Sequence, residues 1–296
     1  MRFAKGHGTG NDFLILPDPD GALELSPEFV AGLCDRHTGL GADGILRAVR
    51  VAEIRGDGHP GPALAEAEWF MDYRNADGSV AEMCGNGLRV FARYLLAHGL
   101  ADAPAFVVAT RAGQRQVWAE ASGEITVDMG APLVLGRSVA VVGGTQCLGL
   151  AVSLGNPHLA CVVDAPVAGL DLSAPPVVDP ARFPDGANVE VVRVRGDRLL
   201  EMRVYERGSG VTLSCGTGAV AAAVAAARER GNETAASGER PGPAGRWTVD
   251  VPGGRLVVTL GETTSLLTGP AVIVADGELS PAWLSDLAPD AVSGRA

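Results

Sequence analysis

The sequence predicts an α/β protein built from two similar halves. Short strand-like and helix-like runs alternate along both halves. The run Met83-Cys84-Gly85-Asn86-Gly87 returns as Ser214-Cys215-Gly216-Thr217-Gly218. Each copy follows a strand-like run carrying charge and opens an apolar, helix-like run. The upstream order repeats as well. Asn75 precedes Cys84 by the same spacing as Glu206 precedes Cys215, Gly8-Thr9-Gly10-Asn11-Asp12 is echoed by Leu154-Gly155-Asn156-Pro157-His158, and Gly41-Ala42-Asp43-Gly44 by Asp185-Gly186-Ala187-Asn188. A duplicated fold whose copies face each other would put one cysteine on each side of a cleft.

The chain opens strand-like at Met1-Arg2-Phe3-Ala4, and a second strand is expected over 13–16. Ser26 is a natural N-cap for a helix over 27–35. Strands follow over 45–51 and 68–73, then a helix over 88–97 ending near Gly99, then strands over 105–110, 114–119 and 125–128. The pattern restarts after Gly130-Ala131-Pro132 with strands over 146–154, 159–163, 188–195 and 199–206. An Ala-rich helix over 219–230 and strands over 247–251, 256–260 and 271–275 complete it. The segments 56–62 and 231–245 and the tail after 287 read as loops. We expect an N-terminal domain over 1–130, completed by 276–296, and a C-terminal domain over 131–275.

At 296 residues, 47% hydrophobic and 20% charged, the chain has room for two cores. A net charge of −11 without a Lys/Arg cluster argues against a nucleic-acid or anionic-membrane surface. The apolar stretches are too short to span a bilayer, the N-terminus has no signal-peptide core, and a cytoplasmic location is expected. Five cysteines without framework spacing favour reduced thiols. His158 and Cys161 form an isolated H-x-x-C, too few ligands for zinc, so no metal is expected.

The two cysteine motifs carry the chemistry. A helix N-terminus presents unpaired N–H groups and partial positive charge, which depresses a thiol there from about 8.5 toward neutrality. Gly85 and Gly87, like Gly216 and Gly218, let a ligand approach the backbone, and the same amides suit a carboxylate. Two such thiols acting on one substrate from opposite sides meet the requirement for inverting a stereocentre without a cofactor. One must be thiolate and the other thiol, and they would titrate as a coupled pair. Cys34, Cys147 and Cys161 sit in apolar runs without a following Gly-x-Gly and are assigned to packing. Asn11, Asn75, Asn156 and Asn188 lie in loops at repeat-related positions, which favours binding over simple turn capping. Glu206-Arg207 offers an ammonium partner and a carboxylate fork. Gly39-Leu40-Gly41-Ala42-Asp43-Gly44 matches a dinucleotide fingerprint, but it follows a helix and leads into a strand, the wrong context. His158 either orients substrate, tunes a thiol or is a satisfied loop histidine.

On these residues the chain resembles the diaminopimelate epimerase family over nearly its whole length. The marks are Gly8-Thr9-Gly10-Asn11-Asp12-Phe13, Gly39-Leu40-Gly41-Ala42-Asp43-Gly44, Asn75-Ala76-Asp77-Gly78-Ser79, Cys84-Gly85-Asn86-Gly87, Gly155-Asn156-Pro157-His158, Asn188-Val189-Glu190, and Glu206-Arg207-Gly208 before Cys215-Gly216-Thr217-Gly218. The resemblance implies two pseudo-symmetric α/β domains, each of mostly antiparallel strands wrapped around a central helix, with the active site in the interdomain cleft. It implies interconversion of LL- and meso-diaminopimelate for lysine and peptidoglycan synthesis, no pyridoxal phosphate or other cofactor, no metal, and a homodimer. It implies Cys84 and Cys215 as the acid/base pair. Asn11, Asn75, Asn156, Asn188 and Arg207 would hold chiefly the non-reacting end of the substrate. Glu206, with the Gly85-Asn86 and Gly216-Thr217 backbone, would hold the reacting end. Gly44 departs from those members that carry a Gln there. Two rivals remain. A proline or hydroxyproline racemase on the same fold would typically carry His at the Asn86 position. A non-catalytic amino-acid-binding protein would have no need of two thiols.

Overall fold

A computed structural model of the chain describes residues 1–54, 66–230 and 245–287. The expected loop over 56–62, all but the last residue of that over 231–245, and the tail after 287 lie outside the described residues. In chain order the first elements are β1 (Arg2–Gly8), β2 (Asn11–Pro17), α1 (Pro27–Cys34), β3 (Gly44–Arg50), β4 (Trp69–Asn75), α2 (Gly85–Ala97), β5 (Ala105–Thr110) and β6 (Gly113–Ala119). They are followed by β7 (Ile125–Gly130), β8 (Leu133–Val142), β9 (Thr145–Ser153), β10 (Pro157–Val162), β11 (Val177–Val178), β12 (Asn188–Gly196), β13 (Leu199–Glu206) and β14 (Gly210–Thr212). The last are α3 (Gly216–Arg230), β15 (Gly245–Val251), β16 (Gly254–Leu260), β17 (Ser265–Gly269), β18 (Val272–Glu278) and α4 (Pro281–Leu287).

The chain forms two compact units. One is Met1–Ile125 together with the chain from Ala271 on, and the other is Thr126–Pro270. In the first, the strands run in the order β18, β1, β2, β3, β4, β5, β6. The successive pairings are antiparallel, antiparallel, parallel, antiparallel, parallel, antiparallel. In the second, β8, β9, β10, β12, β13, β15 and β16 follow the same succession of pairings. Each crossover helix sits at the same place, α2 between β4 and β5 and α3 between β13 and β15. The internal repeat read from short motifs is thus a repeat of whole strand order. The second unit adds β17 beside β16 and β7, and β14 beside β13.

Local chemistry explains the elements. Ser26 caps α1, its hydroxyl accepting from Phe29 N at 3.2 Å, and Pro27 occupies the first helical position. The β1–β2 hairpin turns at Thr9 and Gly10, both with positive φ (52° and 83°). Glycine accepts this freely, whereas a β-branched threonine there is strained by about 1–3 kcal/mol. The strained turn sits beside Asn11. α2 buries Leu88, Val90, Phe91 and Leu95. α3 is buried on all sides from Gly216 to Arg228, because strands β9, β10, β12, β13, β15, β16 and β17 all touch it. Alanine keeps that helix thin enough for the strands to surround it. Among the described residues, no helix is long and apolar enough to cross a membrane.

The structure departs from the expected elements in informative places. Both central helices begin three residues early, at Gly85 and Gly216, so the glycines of the cysteine motifs form their first turns. β3 ends at Arg50, and Val51 enters a short 3₁₀ turn. β8 was not expected. Gly136, at a positive φ of 104° beside a register shift, breaks its sequence pattern while the strand continues.

Ala222 is fully buried in α3. Ala222→Leu is expected to lower stability by about 1–3 kcal/mol through overpacking, read as a drop in the denaturant midpoint.

Candidate active site

Cys84 ends the loop after β4 and is the N-cap of α2. Its backbone is extended (φ −139°, ψ 120°), and its sulfur accepts from Gly87 N at 3.4 Å. A thiol thus stands where a serine or aspartate oxygen usually caps a helix. The Cys84 thiol reaches Asn11 Oδ1 at 3.8 Å, and the same oxygen receives Asn86 Nδ2 at 3.2 Å. Asn11 in turn donates to Asp43 Oδ2 at 2.7 Å, which fixes its amide. Arg36 joins Asp43 and Asp12, each at 2.8 Å. Burial would raise the Asp12 carboxyl, but hydrogen bonds from Arg36 and Lys5 outweigh it and hold the group at about 2. Behind the cysteine lies Arg89, fully buried, donating to Gly85 O (3.3 Å), Asn86 Oδ1 (3.0 Å) and Thr9 Oγ1 (3.4 Å). Burial lowers this guanidinium to about 10, and the Cys84 charge opposes that fall. A cation therefore favours the Cys84 thiolate. Asn75 closes a turn, donating to Ser79 Oγ at 2.9 Å.

Cys215 occupies the same place in the second unit. Its sulfur accepts from Gly218 N at 3.4 Å and lies 3.5 Å from Thr217 Oγ1. Its surroundings differ in charge. Burial pushes the thiol well above the usual range, and the carboxylates of Glu206 and Glu190 add to the rise. The helix start alone suggested a depressed thiol. Here desolvation and two carboxylates outweigh the Gly218 amide. Glu206, half-buried at the end of β13, is bonded by the Thr212 hydroxyl, and burial raises its carboxyl. Asn156 donates to Thr217 Oγ1 at 3.4 Å and accepts at Oδ1 from His158 Nε2 at 3.1 Å. His158, fully buried, has its other nitrogen 2.7 Å from Glu190 Oε1. It is a satisfied histidine, with both ring nitrogens paired, and it lies in β10 and not in a loop. Asn188 donates to Pro157 O at 3.2 Å and accepts from Arg207 N at 2.9 Å, while the exposed Arg207 side chain reaches Asp185 O.

The structure thus groups Cys84, Asn11, Gly85 and Asn86 in the first unit. In the second it groups Cys215, Gly216, Thr217, Asn156, His158 and Glu206, with Asn188 and Arg207 beside them. Sequence reasoning passed over Arg89, Asp43 and Glu190 as site residues. Two carried a readable signal, because Arg89 sits between Leu88 and Val90 and Glu190 interrupts a valine-rich strand, and charges inside apolar runs are rarely buried without a partner. Cys34, Cys147 and Cys161 are buried.

One cluster has the composition of a metal site. The donor atoms of His158, Glu190 and Cys215 all lie within 4.8 Å of one another. Two ligands on a tetrahedral zinc stand about 3.3 Å apart, whereas His158 Nδ1 and Glu190 Oε1 are 2.7 Å apart. That is a hydrogen bond, and this arrangement does not fit zinc. The Gly39–Gly44 run lies between α1 and β3, and no helix follows it to receive a dinucleotide phosphate.

A family model described as "Diaminopimelate epimerase" matches residues 3–135 and 150–274. The chain is 57% identical over 280 residues to a diaminopimelate epimerase of Thermobifida fusca, covering 94% of this chain and 98% of that one. Among solved structures, it is similar to a PhzF-family phenazine biosynthesis protein of Bacillus anthracis (TM-score 0.68, 15% identity, covering 95% of this chain and 99% of that one). It is also similar to a hydroxyproline epimerase of Agrobacterium vitis (TM-score 0.65, 15% identity, 98% and 97%). These two likenesses show a shared fold.

The thiols should separate by reactivity. Burial, with Asp12 next, pushes Cys34 up to about 12, and burial also raises Cys147 and Cys161. Near the ordinary thiol value of about 8.5, brief iodoacetamide treatment is expected to mark Cys84 first, with Cys215 lagging. Peptide mapping reads the order.

Proposed function

The chain belongs to the diaminopimelate epimerase family, and from that premise we propose that Cys84 and Cys215 together invert one α-carbon of diaminopimelate without a cofactor. The chain is an isomerase of the lysine pathway. Its reaction removes an α-hydrogen and returns one on the opposite face. A thiolate takes the proton, so the C–H bond breaks and an S–H bond forms. The carbanion's charge spreads onto the adjoining carboxylate, and helix N–H groups stabilise it there. The second thiol then gives its proton to carbon and becomes the thiolate, and the two roles are exchanged for the return reaction.

The observation that carries this reading is the matched pair of cysteine caps, one at the start of each central helix of a repeated fold. The unequal charges behind them bear on which thiol holds the proton. The buried Arg89 guanidinium lies behind Cys84, while Glu206 and Glu190 face Cys215. The cation thus favours a thiolate at Cys84, and burial with the two carboxylates favours the thiol at Cys215. In this reading Asn11, Asn75, Asn156, Asn188 and Arg207 serve to hold the distal amino-acid group. Glu206 and the Gly85-Asn86 and Gly216-Thr217 backbone serve the reacting one. The working state we assign is a cytoplasmic homodimer.

The shared fold leaves a proline or hydroxyproline racemase as the rival. Asn86 argues against it, because its side chain is spent on Asn11 and Arg89 and it supplies no imidazole.

In D₂O, dialysed protein without added cofactor is expected to place deuterium at the α-position of diaminopimelate and to leave proline unlabelled. Cys84→Ala and Cys215→Ala should each lose about 10³-fold or more in turnover. Near-normal turnover by both variants would refute the two-base assignment.

A further inference from the structure

We propose that Glu190 is a positioning residue of this reaction, its buried carboxylate clamping the His158 imidazole and, through it, Asn156 and Thr217 around the Cys215 sulfur. The inference rests on the reading of Cys215 as an acid/base group. A continuous chain of contacts supports it. Glu190 Oε1 meets His158 Nδ1 at 2.7 Å, His158 Nε2 meets Asn156 Oδ1 at 3.1 Å, Asn156 Nδ2 meets Thr217 Oγ1 at 3.4 Å, and Thr217 Oγ1 meets Cys215 Sγ at 3.5 Å. Glu190 and His158 are both fully buried. The second carboxylate oxygen, Oε2, has no hydrogen-bond partner among the described residues, an arrangement that is unfavourable for folding.

The repeat supplies an internal control. In β2 and β3, Phe13 pairs with Gly44, and Leu46 lies two residues further along β3. In β10 and β12, His158 pairs with Asn188, and Glu190 lies two residues further along β12. His158 and Glu190 thus occupy the positions that Phe13 and Leu46 occupy in the first unit. The surroundings of the helix starts agree. A Cβ added at Gly87 would lie 3.2 Å from Leu46 Cδ2 and 3.5 Å from Phe13 Cζ, and one added at Gly218 would lie 2.6 Å from Glu190 Oε1. The same fold is therefore built once with an apolar pair and once with a buried ionisable pair. Replacing such a pair by well-packed apolar groups is often neutral or stabilising, so packing does not require Glu190.

The titratable groups facing Cys215 are Glu190 on β12, His158 on β10 and Glu206 on β13. Glu190 holds the imidazole in one orientation, which leaves the Asn156 amide one way to point. Its charge also opposes a second negative charge on the sulfur, so Cys215 keeps its proton until the carbanion forms.

The test compares Glu190→Gln, which keeps shape and removes charge, with the double variant His158→Phe/Glu190→Leu, which copies the first unit's pair. Glu190→Gln is expected to lose on the order of 10²-fold in kcat and to alkylate at Cys215 at lower pH, with the Cys84 profile unmoved as an internal control. The double variant is expected to melt no lower than wild type, to be inactive, and to show the same Cys215 shift. It serves in place of Glu190→Gln should that protein fail to fold. Wild-type turnover, or an unmoved Cys215 profile in the folded variant, overturns the inference. Cys215→Ala separates the two readings. If that variant stays active, the acid/base reading itself fails, whereas an inactive Cys215→Ala beside a fully active Glu190→Gln sinks the Glu190 assignment alone.

Discussion

The approach of strand side chains to the first turn of each central helix is the constraint on which both units depend. A Cβ at Gly218 would come within 2.6 Å of Glu190 Oε1, and one at Gly87 would press against Leu46 Cδ2 at 3.2 Å. This close packing holds the helix start rigidly and leaves its amides to the cysteine sulfur and to whatever binds beside it. Glycine is a poor helix former, so its presence in the first turn is explained by the approach and not by helix propensity. The strain at Thr9 belongs to the same design, since the buried Arg89 that backs Cys84 also holds the Thr9 hydroxyl.

Within that common frame the two units differ in electrostatics. The first puts a buried cation behind its cysteine and the second puts carboxylates there, Glu190 buried and Glu206 half-buried. A two-base inversion needs its bases in opposite protonation states, and two identical surroundings would leave that difference to chance. The asymmetry is carried by few residues, Arg89 in α2 against Glu190 and Glu206 in β12 and β13. Strand order and pairing direction are unchanged between the units.

The residues proposed to face substrate are held by polar networks that are themselves fixed. Asp43 orients Asn11, and is in turn fixed by Arg36. His158 orients Asn156, and is in turn fixed by Glu190. Asn188 bridges Pro157 and the Arg207 backbone. Each amide then presents a defined donor or acceptor, which is how a site distinguishes a second amino-acid group from an apolar chain.

Much of this was legible in the amino-acid order alone. The duplicated Cys-Gly-x-Gly runs, their matched upstream spacing and the alternation of apolar residues fixed the fold class, the repeat and the two thiols, because these depend on local periodicity and local helix-start chemistry. Ser26 marked the start of α1 for the same reason. What the order left undecided depends on contacts distant along the chain. The strand β8 runs through Gly136, whose bulge is tolerated because β9 pairs on both sides of it. The raised Cys215 thiol contradicts the local expectation, since burial and the carboxylates of β12 and β13 act across space. His158 reads as a loop residue until β10 and β12 align it against Glu190. Charge states follow from solvation and proximity, and these are set by tertiary packing.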